Sequence, residues 1–192
     1  ELRFSPNAAA RQLANRGRVR LGLLYSNPSA AFLSAFLVGS LDRIRRDNVS
    51  LLVEQCEPGR DELSAVERLI RERIDGIVLL PPMCNNPHIL GLCEHNGVCG
   101  VAIGTARPRL GLSGVSIDDR EAASTITRHL LHLGHRRIGI LLGDPAHPAS
   151  AERHSGYRQA LLHANIDPFP ELAAVGMFEY RRAFQVTPAL LD

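Results

Sequence analysis

Lysine is absent: all 22 basic residues among the 192 are arginine. No Gly-Lys-Ser/Thr phosphate loop can therefore exist, and residues 97–104 lack the G-x-G-x-x-G spacing, so nucleotide chemistry has neither of its usual signatures. Cysteine is sparse. Cys56, Cys84, Cys93 and Cys99 form no C-x-x-C pair and have no companion histidine at zinc-finger spacing. That argues against a disulfide frame or a metal site, and for four reduced thiols in a cytoplasmic protein. No stretch approaches the roughly 18 uninterrupted apolar residues of a membrane span. The first twenty residues carry Arg3, Arg11, Arg16, Arg18 and Arg20 in place of an apolar export signal. Catalytic patterns are missing too: there is no G-x-S-x-G elbow and no nucleophile–base–orienter set, so no enzyme and no cofactor is expected. His129, His132 and His135 stand at helical spacing, but His129 and His132 have no carboxylate at ligand spacing. Gly134 and His135 mark a helix end, where a histidine meets the helix dipole favourably. Asp118 and Asp119 read as caps of the following helix, with Glu121 in its first turn.

Net charge is only +2, too little for nucleic-acid binding spread over the whole surface. Its distribution says more. Residues 1–20 hold five arginines against Glu1, a net +4, and the remainder sums to −2. A basic terminal arm on a neutral body is the expected arrangement.

With 45% hydrophobic residues, the chain can bury a real core. Short runs of Val, Ile and Leu alternate with segments of helical period. Strands are expected at 21–25, 51–55, 76–80 and 98–103, with helices at 30–46, 61–73 and 87–95 between them. The pattern restarts at 114–117, with helices at 122–133 and 150–164, strands at 137–142 and 172–175, and a last helix over 181–191. Uniformly apolar strands joined by helices predict an α/β fold of parallel sheets covered on both faces, with ligands at the C-terminal strand ends. Two lobes are expected, 18–117 and 118–192, after an arm at 1–17. The second lobe has few strands and is expected to be truncated at Asp192.

Three segments carry a resemblance. Phe4-Ser5-Pro6-Asn7-Ala8-Ala9-Ala10-Arg11-Gln12-Leu13, Leu131-His132-Leu133-Gly134-His135-Arg136-Arg137-Ile138, and Ser150 through Arg153-His154-Ser155-Gly156-Tyr157 occur in this order and spacing. They resemble the hinge, the helix-to-strand turn and the effector-side helix of the LacI/GalR regulators. The resemblance implies a type I periplasmic-binding-protein-like fold of two Rossmann-like lobes. It also implies a helix-turn-helix head upstream and further strands downstream.

Residues 6–15 make a short helix, capped by Ser5, with Pro6 at its first position and Gly17 beyond its end. Below roughly 12 residues such a helix needs a partner surface. From spacing alone, Leu13 either inserts into something or packs on the body beside a solvated arginine tail. The resemblance implies that Leu13 wedges between base pairs in the minor groove and that Asn7, Ala10, Arg11 and Arg16 also contact DNA.

Effector residues are expected at C-terminal strand ends. Ser26 and Asn27, with Ala31 and Phe32 at the helix start, either line a pocket or form an ordinary capped turn. Pro81, Pro82 and Thr105 share that edge, where proline is either rigid lining or loop punctuation. The resemblance makes Arg153 the arginine that bridges ligand oxygens with its fixed fork of donors; the alternative is a surface pair with Glu152. Phe178 falls where the family places an aromatic against a sugar face.

The function implied is a ligand-responsive, DNA-binding transcription regulator of repressor type. It would hold a small molecule, a sugar, between its lobes and act on an operator as a homodimer or tetramer. The rival is the extracytoplasmic sugar-binding component of a transporter, which shares the fold.

Overall fold

The computed structural model describes residues 18–26, 30–104 and 112–191. The expected hinge residues Asn7, Ala10, Arg11, Leu13 and Arg16, and the pocket candidates Asn27 and Thr105, lie outside these. The chain forms two compact units, divided between Val101 and Ala102 and again between Leu112 and Ser113.

The first unit alternates strand and helix: β1 (Val19–Tyr25), α1 (Ala30–Arg46), β2 (Val49–Gln55), α2 (Glu62–Arg71), β3 (Gly76–Leu79), α3 (Pro87–His95) and the start of β4 (Cys99–Ile103), whose residues from Ala102 on fall in the second unit. The sheet order is β2-β1-β3-β4-β5, with β5 spanning Leu112–Val115. β1 is an inner strand and pairs in parallel with β2 (Leu24↔Glu54) and with β3 (Leu24↔Leu79). Strands flanked on both sides must be apolar on both faces, and Leu23 and Leu24 are both wholly buried. Around them Val66, Ile77, Leu79, Leu80, Met83, Cys84 and Ile89 close the core. Each such side chain contributes about 1.5–3 kcal/mol. Helix α2 turns Ala65, Val66 and Leu69 inward, the one-turn spacing of an amphipathic helix. Helix α3 starts at Asn86, whose side chain accepts from His88 N (2.9 Å) and Ile89 N (3.5 Å), with Pro87 next. In contrast, α1 buries none of its residues.

The second unit holds α4 (Asp119–His132), β6 (Ile140–Leu142), α5 (Pro148–His163), β7 (Ala173–Val175) and α6 (Tyr180–Val186). β6 and β7 pair in parallel, Ile140↔Ala173 to Leu142↔Val175. Helices α4 and α5 cross closely because Gly156 has no side chain: a Cβ there would stand 2.0 Å from the Arg120 carbonyl oxygen. Tyr157 beside it packs with Ile138 and Leu161.

Several expected elements come out shorter, and two of them show the cause. The strand expected over 137–142 starts only at Ile140. The buried Tyr157 hydroxyl donates to the Ile138 carbonyl oxygen at 2.6 Å, taking the group a ladder would use, and Arg136 turns back onto the carbonyls of Leu131 and His135. The helix expected over 181–191 ends at Val186, and a 3-10 turn follows at Pro188–Leu190. Proline has no N–H to continue the ladder and its ring blocks the preceding turn.

Candidate functional site

In the first unit, the register that sets Leu24 beside Leu79 places Ser26, just past β1, and Pro81, just past β3, on one sheet edge. The bond from Leu80 N to Leu24 O at 3.3 Å carries the pairing to that edge. Pro81 is buried, Pro82 half-buried, and the bond between them is cis. Ala31 and Phe32 occupy the first turn of α1 and both are exposed.

In the second unit, a cavity of about 330 Å³ is walled by Ile117, Ala122, Ile126, Leu141 and Leu142 and carries Asp119, Ser150, Arg153 and Phe178. Two residues singled out from sequence, Arg153 and Phe178, thus line one cavity. The geometry departs from the sequence reading at Asp119. Asp118 caps α4, accepting from Glu121 N at 2.9 Å. Asp119 instead accepts from Arg153 Nε at 2.7 Å. Glu152, the alternative partner weighed for Arg153, pairs with Arg120 at 2.9 Å. The Asp119 side chain is 10% exposed and the Arg153 side chain 47%, so a nearly buried acid anchors a half-exposed guanidinium, which makes no further hydrogen bond among the described residues. Anchored this way, the pair offers donors from Arg153 and an acceptor from Asp119 side by side, which suits hydroxyl groups.

Phe178 reaches the cavity through an uncommon backbone: Met177 and Phe178 both take positive φ, 58° and 59°. Its ring occupies space that a Cβ at Gly143 would fill, 1.9 Å from Cζ. The ring also stands edge-on to His147, centroids 5.2 Å apart. His147 is buried, and its Nε2 has no hydrogen-bond partner among the described residues. Burial pushes its pKa below the usual 6.5; the Arg153 charge adds to this and Asp144 opposes it.

Asp119, Gly143 and His147 were not legible as site residues. Asp119 lies 34 positions from Arg153, and nothing local distinguishes it from its capping neighbour. Ser150 opens the segment that carried the resemblance, which was its only signal.

All four cysteines are free thiols. Burial raises Cys56 to about 12 and Cys93 to about 11, so both stay protonated and act as small apolar groups. Among the described residues there is no cluster of three or more His, Cys, Asp or Glu able to hold a metal, and no helix long and apolar enough to cross a membrane.

The chain is similar to known proteins over most of its length. The HTH-type transcriptional regulator GalR of Salmonella typhimurium strain LT2 is 30% identical over 178 residues, 91% of this chain and 51% of that protein. The HTH-type transcriptional repressor PurR of Actinobacillus pleuropneumoniae serotype 5b is 25% identical over 202 residues, 100% of this chain and 57% of that protein. The chain thus spans about half the length of the curated relatives it matches. Among solved structures, the transcriptional regulator CelR–cellobiose complex superposes with a TM-score of 0.77 at 25% identity, covering 97% of this chain and 62% of that one. The transcription regulator CcpA of Lactococcus lactis has the same fold, with a TM-score of 0.77 at 22% identity over 91% of this chain and 64% of that one. Residues 18–175 match the family described as periplasmic binding proteins and sugar binding domain of LacI family, and the chain belongs to that family.

Proposed function

We propose that this chain is the effector-sensing core of a ligand-responsive transcription regulator of repressor type, binding a sugar and passing its presence to operator DNA. One observation carries the reading: the sugar-binding family match, residues 18–175, takes in Asp119 and Arg153, which line a single cavity with Phe178 just beyond it. The names of the relatives, regulators and repressors, favour this over a transporter component. In the reading, residues 18–117 and 118–192 are the two effector lobes, with Ser26, Asn27, Ala31, Phe32, Pro81, Pro82 and Thr105 serving the first and Arg153 and Phe178 the second. Residues 1–17 are the hinge, with Asn7, Ala10, Arg11, Leu13 and Arg16 on DNA. The assembly is a homodimer or tetramer in the cytoplasm, and no catalysis is assigned to it.

The mechanism is a coupling of two sites. A sugar that binds one arrangement of the lobes better than another shifts their populations, and the hinge reports the shift to DNA by the same free energy. A gel-shift assay on the full-length protein carrying this chain, with DNA from upstream of its own gene and of neighbouring genes, tests this. Binding is expected at low salt, falling steeply as salt rises. Leu13→Ala should weaken it, and an effector sugar should change it. No shift at low salt on any fragment would sink the regulator reading.

A further inference from the structure

We infer that Asp119 sets the charge class of the ligand taken by the second unit: its carboxylate claims Arg153, so that the cavity accepts an uncharged polyhydroxy compound and refuses one carrying a phosphate or carboxylate. This rests on the sugar-sensing reading and names the residue that selects among its ligands.

Packing does not call for the pair. Helices α4 and α5 are already tied one position along by Arg120 and Glu152, half-exposed side chains 2.9 Å apart. Their close approach is set by Gly156 against the Arg120 carbonyl oxygen. Capping does not account for Asp119 either, because Asp118 fills that role, accepting from Glu121 N at 2.9 Å. A second carboxylate in the same first turn, its side chain only 10% exposed, costs desolvation that the Arg120–Glu152 pair at the surface avoids. What its side chain gains is the 2.7 Å bond from Arg153 Nε.

That bond decides the charge of the cavity. Among the described residues lining it, only Asp119 and Arg153 carry charge. An unpaired arginine there would draw anions, because its fork matches a phosphate or carboxylate in two parallel hydrogen bonds. With Asp119 in place the two charges cancel. An anion reaching the guanidinium also meets the like charge of the carboxylate, beside apolar walls that leave less water to screen it. A hydroxyl meets no such opposition: it accepts from Arg153 and donates to Asp119. The walls of Ile117, Ala122, Ile126 and Leu141 suit the C–H surface of a sugar.

The test is calorimetric titration of the full-length protein carrying this chain with galactose, ribose, galactose 6-phosphate and ribose 5-phosphate. Wild type is compared with Asp119→Asn and with Asp119→Asn combined with Arg153→Gln. Asparagine keeps the size and the acceptor for Arg153 Nε and removes the charge; urea midpoints check that each variant folds. Asp119→Ser, smaller and equally uncharged, carries the same expectation and guards against an effect of asparagine itself. Wild type should bind a neutral sugar and bind its phosphate at least about tenfold more weakly. Asp119→Asn should shift that preference toward the phosphate by about tenfold or more. The gain should shrink as salt rises and vanish in the double variant. An unchanged preference in folded Asp119→Asn and Asp119→Ser overturns the role of Asp119 and leaves the sugar reading standing, as does a gain that survives without Arg153. A wild type that prefers the phosphates overturns it as well. If neither sugars nor phosphates bind wild type or Asp119→Asn, the role of Asp119 and the sugar-sensing reading fall together.

Discussion

Single atoms decide several features of the second unit. At Gly156 a methyl group would collide with the Arg120 carbonyl oxygen and approach Ser124 N at 3.0 Å. These are backbone atoms, which cannot rotate away, so Gly156→Ala should force α4 and α5 apart. A loss of about 3 kcal/mol or more is expected by urea denaturation, at the upper end of overpacking effects. At Gly143 the obstacle is the Phe178 ring, a side chain able to turn, and the same substitution should cost less. His147 adds a pH dependence. Its folded pKa lies below the ordinary 6.5, so above that value it is neutral in both states and costs nothing. As pH falls below 6.5 the unfolded chain takes up the proton first, and stability declines. His154 is shifted in the same direction, by burial and then by Arg158. Urea melts at about pH 7.5 and about pH 5.5 should show lower stability at the acid end, and His147→Phe should reduce the difference. Equal pH dependence in the variant would remove His147 from this account.

Elements were legible where local chemistry closes them. The Asn86–Pro87 start of α3 is written in two adjacent residues, and its cap accepts both free amide N–H groups it can reach. Asn86→Ala should therefore destabilise the first unit by about 1 kcal/mol, read as a shift in urea midpoint with unchanged slope. The strands of the first unit followed from uniformly apolar runs, because burial on both faces leaves no polar alternation. The second unit was harder to read at its ends. Arg137 to Gly139 look strand-like, yet the Tyr157 hydroxyl, nineteen residues away, takes the Ile138 carbonyl. No local window contains that competitor. The end of α6 was a different lapse: Pro188 sits in the sequence as a stop, and the apolar Ala189-Leu190-Leu191 that follows continues the helical period past it.

Across the whole chain, apolar surface remains exposed in both units. Val38 and Leu41 on α1 are 66% and 46% exposed, and Ile117, Ile126, Tyr180 and Phe184 exceed 55%. Soluble monomers seldom leave large contiguous apolar patches uncovered. The chain on its own should bind a hydrophobic dye and elute above its monomer mass in size-exclusion chromatography. A monomer with no dye uptake would mean that these residues are scattered singly. The alternation of apolar strands and amphipathic helices and the caps at Asn86 and Asp118 followed from the order of residues, because each depends on neighbours within a few turns of chain. Three ordered segments carried the family in the same way. The pairing of Arg153 with Asp119, the ring of Phe178 over Gly143, and the orphaned nitrogen of His147 were decided only by folding. Each joins groups from different elements, and whether a polar atom is buried, paired or left alone depends on what the rest of the chain packs around it.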